Sequence, residues 1–123
     1  MSVVLVTHSE GLALLELNRP EARHAFNREL IDAVRAALGE LSDDPNLRAL
    51  VICSTPVEGK NPVFASGADI AELLTRTAED AFAARLQKLL QEIEDFSRPV
   101  IAAIDGYALG GGLELALACD LRV

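Results

Sequence analysis

Three consecutive segments near the end of the chain constrain its fold more than any other part of the sequence. Residues 100–104 form a continuous apolar run, residues 105–112 are rich in glycine, and residues 113–119 are almost wholly apolar. A membrane-spanning helix is disfavoured, because Asp105 and Glu114 would each cost about 2.5 to 3.5 kcal/mol at its centre. The pattern instead predicts a buried strand that runs through a glycine turn into a short helix.

Strands and helices alternate along the rest of the sequence. Apolar segments on either side of Ser9-Glu10-Gly11 predict a hairpin, and apolar side chains at helical spacing predict two longer helices. The predicted strands lie at residues 3–8, 12–17 and 49–53, and a final strand begins at Asp120. The first helix starts after the N-cap residue Asn27 and ends before Asp43, and the second starts in a capping-box pattern at Thr77 and ends before Pro99. A loop is predicted over residues 55–67. This alternation predicts an α/β fold.

The length and charge of the chain limit its function. With 123 residues, half of them apolar, the chain is long enough for one hydrophobic core and too short for two ordinary domains. Its 11 basic and 19 acidic residues give a net charge of −8 at pH 7. An acidic surface repels the phosphates of nucleic acids and anionic lipids, so neither a nucleic acid nor a membrane is expected as a partner.

The cysteines and histidines do not form a metal-binding pattern. Cys53 and Cys119 lie far apart without a CxxC pair, and His8 and His24 do not have the spacing of metal ligands. Reduced, buried thiols in a reducing compartment are the simpler interpretation. Residues 1–6 lack the basic region and the cleavage site of a secretory signal, so the cytoplasm is the expected location.

The glycine turn at residues 105–112 is the first candidate for chemistry. Without side chains, such a turn lets backbone N–H groups at the start of a helix approach a ligand oxygen, although close packing of the helix on the sheet would need the same glycines. Glu114 follows among apolar neighbours. It lies either at the mouth of a cavity or in a desolvated position, which would raise its pKa towards values useful for proton transfer, or it complements the helix dipole.

A second turn of small residues covers residues 63–70 and leads into a predicted short helix, of which Asp69 is the expected N-cap. The two turns could each present one backbone N–H group to the same oxyanion. One donor of this kind contributes roughly 3 kcal/mol to catalysis. The sequence alone does not show whether the two turns meet.

A third candidate is a group of basic residues in this otherwise acidic chain. The group consists of Arg19, Arg23, His24 and Arg28. These side chains would neutralise the phosphates of a ligand, or they belong to a solvated loop and the start of a helix.

Three ordered motifs resemble the enoyl-CoA hydratase/isomerase (crotonase) family. They are LNRPEA at residues 17–22, FASGADI at residues 64–70 and GYALGGGLEL at residues 106–115, followed by Cys119-Asp120. The resemblance implies an α/β fold in which β-β-α units wind into a spiral that binds acyl-CoA thioesters. It also implies that residues 1–123 form the N-terminal part of a single crotonase-like domain, with the C-terminal part absent from this chain.

The resemblance implies roles for individual residues as well. The backbone N–H groups of Ala68 and Gly111 would form an oxyanion hole, and Glu114 would be a catalytic glutamate that activates water. The implied substrate-binding residues are Arg23, Ala25, Ala65, Ala68, Asp69, Ile70, Gly110 and Gly111. Coenzyme A is part of the substrate, so neither a separate cofactor nor a metal is expected.

The implied activity is that of an enoyl-CoA hydratase, which adds water to a 2-enoyl-CoA thioester. The second acid of the hydratases lies farther along the chain than Val123, so no residue is assigned to that role. An enoyl-CoA isomerase or another acyl-CoA lyase of the family is an alternative, and a non-catalytic CoA-binding or assembly module is a further one. The resemblance also implies a homotrimer or homohexamer.

Overall fold

A computed structural model describes residues 2–59 and 61–123. Its strands and helices follow in the order β1 (Val4–Ser9), β2 (Leu12–Leu17), α1 (Arg28–Ser42), β3 (Ala49–Ser54), β4 (Val63–Ala65), α2 (Arg76–Glu94), β5 (Val100–Ala102), β6 (Tyr107–Ala108), α3 (Gly111–Ala118) and β7 (Leu121–Arg122). Short 3-10 helices lie at Pro20–Ala22 and Ile70–Leu73. None of the helices in the described residues has both the length and the apolar character needed to cross a membrane.

Five of the strands form one sheet in the order β1-β2-β3-β5-β7. The first two strands are antiparallel, as the predicted hairpin requires, and all other neighbours are parallel. The segments that follow the parallel strands β2, β3 and β5 therefore emerge at the same edge of the sheet. The sheet and its helical connections confirm the predicted α/β class.

Helices α1 and α2 each have one apolar face, and α1 packs on the sheet. Helix α1 contacts β1, β2 and α2, and α2 in turn contacts α3. Asn27 caps α1 as predicted, since its Oδ1 atom accepts a hydrogen bond from the Leu30 N–H at 2.8 Å. Burial of a large apolar side chain stabilises the fold by about 1.5 to 3 kcal/mol. The fully buried apolar side chains of this core include Phe26, Phe64, Leu15, Leu17, Leu30, Ile31, Leu50, Ile52, Leu89, Ile93 and Leu115.

Five sequence predictions about the secondary-structure elements were wrong. Helix α2 begins at Arg76 because the Thr75 hydroxyl, rather than that of Thr77, accepts a hydrogen bond from the Ala78 N–H at 3.0 Å. The strand predicted at residues 100–104 ends at Ala102, and the helix predicted at residues 113–119 begins two positions earlier. The predicted loop over residues 55–67 and the glycine turn each contain a short strand, and these two strands form a separate parallel sheet, β4-β6.

The two cysteines are free thiols, as predicted, but they differ in burial. Cys119 is buried and Cys53 is half-buried. Burial raises the pKa of the Cys119 thiol to about 12, and burial followed by the charge of Glu16 raises that of Cys53 to about 11. Both thiols are therefore protonated at neutral pH.

Candidate active site

The two turns of small residues meet in the folded chain. Gly67 and Gly110 both have a positive φ, of 104° and 49°, which residues other than glycine rarely adopt. A Cβ atom added at Gly110 would lie 3.7 Å from the Cα atom of Gly67. The two turns, whose convergence the sequence left open, therefore lie side by side in the fold.

Strand pairing holds the two turns together. Ala65 in β4 pairs with Ala108 in β6, and the Leu109 N–H donates to the Ala65 carbonyl at 3.0 Å. On the other side, the backbone of Phe26 donates to the Gly67 carbonyl at 2.7 Å and accepts from the Asp69 N–H at 2.8 Å. Ala68 is thus fixed on both sides by backbone hydrogen bonds of its neighbours.

The backbone N–H groups of Ala68 and Gly111 face the space between the two turns. Within residues 2–59 and 61–123, neither N–H group donates a hydrogen bond to the backbone or to a side chain. Both residues line the same cavity, whose volume is about 370 Å³. Gly111 is the first residue of α3, where the helix dipole adds a partial positive charge. The arrangement suits a ligand oxygen that carries or develops negative charge.

Glu114 lies at the mouth of this cavity, one turn into α3. Its N–H donates to the Gly110 carbonyl at 3.0 Å, and its side chain is exposed to solvent. The sequence allowed a cavity mouth, a desolvated position or a partner of the helix dipole for Glu114. The structure places it at a cavity mouth, and the desolvated position was wrong. The location near the start of α3 also agrees with a favourable interaction with the helix dipole.

Helix α2 supplies the opposite wall of the cavity, which the sequence analysis did not assign to a site. The wall residues are Glu79, Phe82, Ala83, Leu86 and Gln87, and Leu73 completes the lining. Their spacing of three and four positions places them on one face of the helix. That periodicity was visible in the sequence, but it predicts a core face as readily as a cavity wall.

A second cavity adjoins the first at Ala68. Its volume is about 270 Å³, and its lining includes Ala25, Asp69 and Ile70 together with Ala22 and Ser66. Ala68 lines both cavities. A ligand with an oxygen at the Ala68 N–H could therefore extend into both. The two cavities bring together seven of the predicted residues: Ala25, Ala68, Asp69, Ile70, Gly110, Gly111 and Glu114.

Comparison with known proteins identifies the family. The family model for enoyl-CoA hydratase/isomerase matches residues 7–123. The chain belongs to this family. It is 44% identical over 117 residues to the bovine (Bos taurus) enoyl-CoA hydratase domain-containing protein 2, mitochondrial, covering 94% of this chain and 38% of the bovine protein. It is 38% identical over 122 residues to a crotonyl-CoA hydratase of Syntrophomonas wolfei, covering 98% of this chain and 45% of that protein.

Solved structures of the enoyl-CoA hydratase/isomerase family have the same fold. The crystal structure of an enoyl-CoA hydratase from Bacillus anthracis superimposes with a TM-score of 0.89 at 27% identity, covering 98% of this chain and 46% of that chain. This likeness confirms the predicted crotonase-like fold. The chain spans less than half the length of each of these three relatives.

Two predicted binding residues of the family lie outside both cavities. Ala65 is fully buried in β4, where its carbonyl accepts the hydrogen bond from Leu109. Arg23 is exposed and lines a separate surface cavity of about 560 Å³, next to Glu21 and Glu58. These two carboxylates offset the charge of the guanidinium group, so Arg23 alone does not make this surface basic.

The interpretation of the four basic residues as one phosphate-binding group was wrong for two of them. The His24 ring is fully buried, and burial lowers its pKa, so the ring is neutral at pH 7. The Arg19 guanidinium forms an ion pair with Asp69, with 3.1 Å between Nη2 and Oδ2. Arg23 and Arg28 are exposed, in agreement with a solvated loop and helix start.

Asp69 is the predicted N-cap and is also a charge partner. Its Oδ1 atom accepts a hydrogen bond from the Ala71 N–H at 3.1 Å, which caps the 3-10 helix at Ile70–Leu73. This hydrogen bond, together with the one from Arg19, lowers the pKa of the Asp69 carboxyl group. The carboxylate is therefore ionised at neutral pH, and its charge is already neutralised within the protein.

Proposed function

We propose that the protein is an acyl-CoA enzyme that hydrates 2-enoyl-CoA thioesters. The observation that carries this proposal is that Ala68 and Gly111, whose N–H groups have no acceptor among the described residues, line one cavity together with Glu114. Membership of the enoyl-CoA hydratase/isomerase family supports an acyl-CoA substrate. The names of the two relatives, enoyl-CoA hydratase domain-containing protein 2 and crotonyl-CoA hydratase, support hydration.

The two N–H groups would polarise the thioester. The carbonyl oxygen of the substrate accepts a hydrogen bond from each group, and negative charge collects on this oxygen as water adds to the β-carbon. Donors that are fixed before the reaction stabilise this charge without a cost of reorganisation, and loss of one donor typically lowers kcat by about 100-fold to 1,000-fold. Ala68 and Gly111 are held in this way by the strand pairing around them.

Glu114 would act as the general base. Its carboxylate takes a proton from the attacking water while the water oxygen bonds to the β-carbon, and the double-bond electrons move to the α-carbon and the thioester oxygen. An acid then protonates the α-carbon, which completes the addition of one water molecule. We assign no residue to this second proton transfer.

The second cavity would hold part of the coenzyme A moiety. Because Ala68 lines both cavities, a thioester at its N–H group can extend its acyl part towards α2 and its CoA part past Ala25, Asp69 and Ile70. Arg23 lies farther along the surface and would meet a phosphate there. The substrate brings its own coenzyme A, so the proposal requires no separate cofactor, and it includes assembly into a homotrimer or homohexamer.

The base is tested by replacing Glu114 with a residue of the same shape. Glu114→Gln should lower kcat for hydration of crotonyl-CoA by about 100-fold to 10,000-fold and leave CoA affinity nearly unchanged, since only proton transfer is lost. Glu79→Gln is the matched control, because Glu79 is a carboxylate that lines the same cavity from the opposite wall. Unchanged turnover of Glu114→Gln, or an equal loss in both variants, would contradict the assignment of Glu114.

Binding without hydration is the second candidate function. It is favoured by the two adjoining cavities at Ala68, which could hold an acyl-CoA thioester without any proton transfer. Calorimetric titration with CoA and a hydration assay on the same sample separate the two functions. Tight binding with no loss of crotonyl-CoA absorbance supports a binding module, and an isomerised product supports an isomerase of the same family.

A further inference from the structure

Arg19 is a cation with two acceptors, and both of them flank the turn that carries Ala68. Its side chain is 13% exposed, and its Nη2 atom lies 3.1 Å from Oδ2 of Asp69. Its Nη1 atom donates to the carbonyl of Ala25 at 2.5 Å. One planar guanidinium group therefore joins the residue that follows Ala68 to a segment more than forty positions earlier in the chain.

The two acceptors lie next to a backbone bridge that fixes the Ala68 peptide. Phe26, the residue after Ala25, pairs with Ala68 in a parallel bridge. In this bridge the Phe26 N–H donates to Gly67 and the Phe26 carbonyl accepts from Asp69. A rotation of the Ala68 peptide would break one of these bonds or move Asp69 away from Arg19.

The backbone of Arg19 is itself anchored through His24. The Arg19 N–H donates to Nδ1 of His24 at 3.0 Å, and Nε2 of the same ring donates to the Thr55 carbonyl at 2.7 Å. His24 and its neighbour Arg23 both have a φ of 54°, in the left-handed region that such residues adopt only when their surroundings require it. We call the contacts of the Arg19 guanidinium group with Asp69 and Ala25 the clamp. Through His24 the clamp is connected to Thr55, directly after β3.

We propose that Arg19 is a positioning residue, which keeps the backbone N–H of Ala68 directed at the substrate oxygen by holding both sides of the Phe26–Ala68 bridge. This inference rests on the proposed function, because it assigns the purpose of the clamp to the oxyanion hole. Arg19 does not contact the ligand phosphates in this arrangement, since its guanidinium group is committed to Asp69 and Ala25. The Asp69 side chain likewise supports the turn rather than recognising coenzyme A.

The first readout is the carbonyl stretch of a bound thioester, which does not depend on turnover. Crotonyl-CoA labelled with ¹³C at the thioester carbonyl is bound to the protein, and the infrared shift to lower frequency measures the hydrogen bonds that this oxygen accepts. Arg19→Lys and Asp69→Asn should each reduce the shift. Lysine cannot reach both acceptors at once, whereas asparagine retains the oxygen that caps Ala71 but loses the charge.

The second readout is the division of the effect between kcat and KM. A misdirected donor should lower kcat by about 10-fold to 100-fold and change KM by less than about threefold. The double variant Arg19→Lys with Asp69→Asn should lose little more than the worse single variant, because both changes break one clamp. Arg85→Lys is the control, since Arg85 forms a comparable ion pair with Asp32 at 3.3 Å on α2 and α1.

The outcomes separate this inference from the proposed function. If the wild-type protein shifts the carbonyl band and both clamp variants shift it as far as the wild-type protein does, the inference is wrong and the proposed function stands. If the wild-type protein binds the thioester without any shift, the oxyanion hole is wrong and the inference fails with it. If Arg19→Lys does not fold, as judged by circular dichroism, Asp69→Asn decides alone, because its cap is retained.

Discussion

Gly112 marks the point where α3 approaches β4 most closely, and Gly112→Ala tests this packing. A Cβ atom built at Gly112 would lie 2.4 Å from the carbonyl oxygen of Ala65 and 2.7 Å from its Cβ atom. These atoms belong to a short, fully buried strand residue and cannot rotate away. Either α3 or β4 must therefore shift to accommodate one methyl group.

The expected cost follows from two opposing contributions. Alanine in place of glycine within a helix stabilises it by up to about 1 kcal/mol. An extra methyl group in a packed interior costs about 1 to 3 kcal/mol, towards the upper end when backbone must move. We therefore expect Gly112→Ala to lower the free energy of unfolding by about 1 to 2 kcal/mol, or the midpoint temperature by about 4 to 8 °C.

Urea unfolding followed by circular dichroism measures this difference, and Gly39→Ala provides the control. Gly39 lies inside α1, and no atom would come within 4 Å of an added Cβ. The same substitution should there stabilise the protein by about 0.5 to 1 kcal/mol. If Gly112→Ala is as stable as the wild-type protein or more so, the close approach of α3 to β4 is refuted.

Two experiments test the burial of the ionisable groups of His24 and the two cysteines. Because burial lowers the pKa of His24 below its ordinary 6.5, the unfolded chain binds more protons at acidic pH, and stability should fall by up to about 1 kcal/mol between pH 6.5 and 5.5. His24→Gln should show a smaller fall in urea unfolding, and an equal fall would contradict this explanation. With pKa values of about 11 and 12, Cys53 and Cys119 should react slowly with an aromatic disulfide reagent at pH 8 and rapidly in urea. Equal rates in the folded and unfolded chain would exclude the burial of these thiols.

The sequence predicted those helices and strands whose own residues carry a strong local pattern. The helix after Asn27 was predicted because an amide side chain before a periodic apolar pattern supplies the missing acceptor at the helix start, and the structure has this hydrogen bond. The start of α2 was misjudged since Thr75 and Thr77 both offer a hydroxyl group, and only the folded backbone selects one. Strands β4 and β6 were missed because segments of three and two residues have no readable periodicity.

Local sequence patterns predicted the parts of the candidate site but not their arrangement. Glycine and small residues before helices identified the turns around Ala68 and Gly111, but only the fold places both beside one cavity. The burial of His24 and the ion pair of Arg19 could not be read from charge alone, because a basic residue in a loop has the same pattern whether it is exposed or enclosed. Contacts between distant segments decide such cases.

The pairing of β4 with β6 has a consequence for the order in which the molecule folds. Val63 is the partner of Tyr107, so the whole of α2 lies within the loop that this pairing closes. Such non-local pairing forms late, because the entropy of loop closure must be overcome before the contacts contribute. The turns at Ala68 and Gly111 should therefore come together only after α2 has docked, and occupancy of the cavity between them should report that the segment between β4 and β6 has folded.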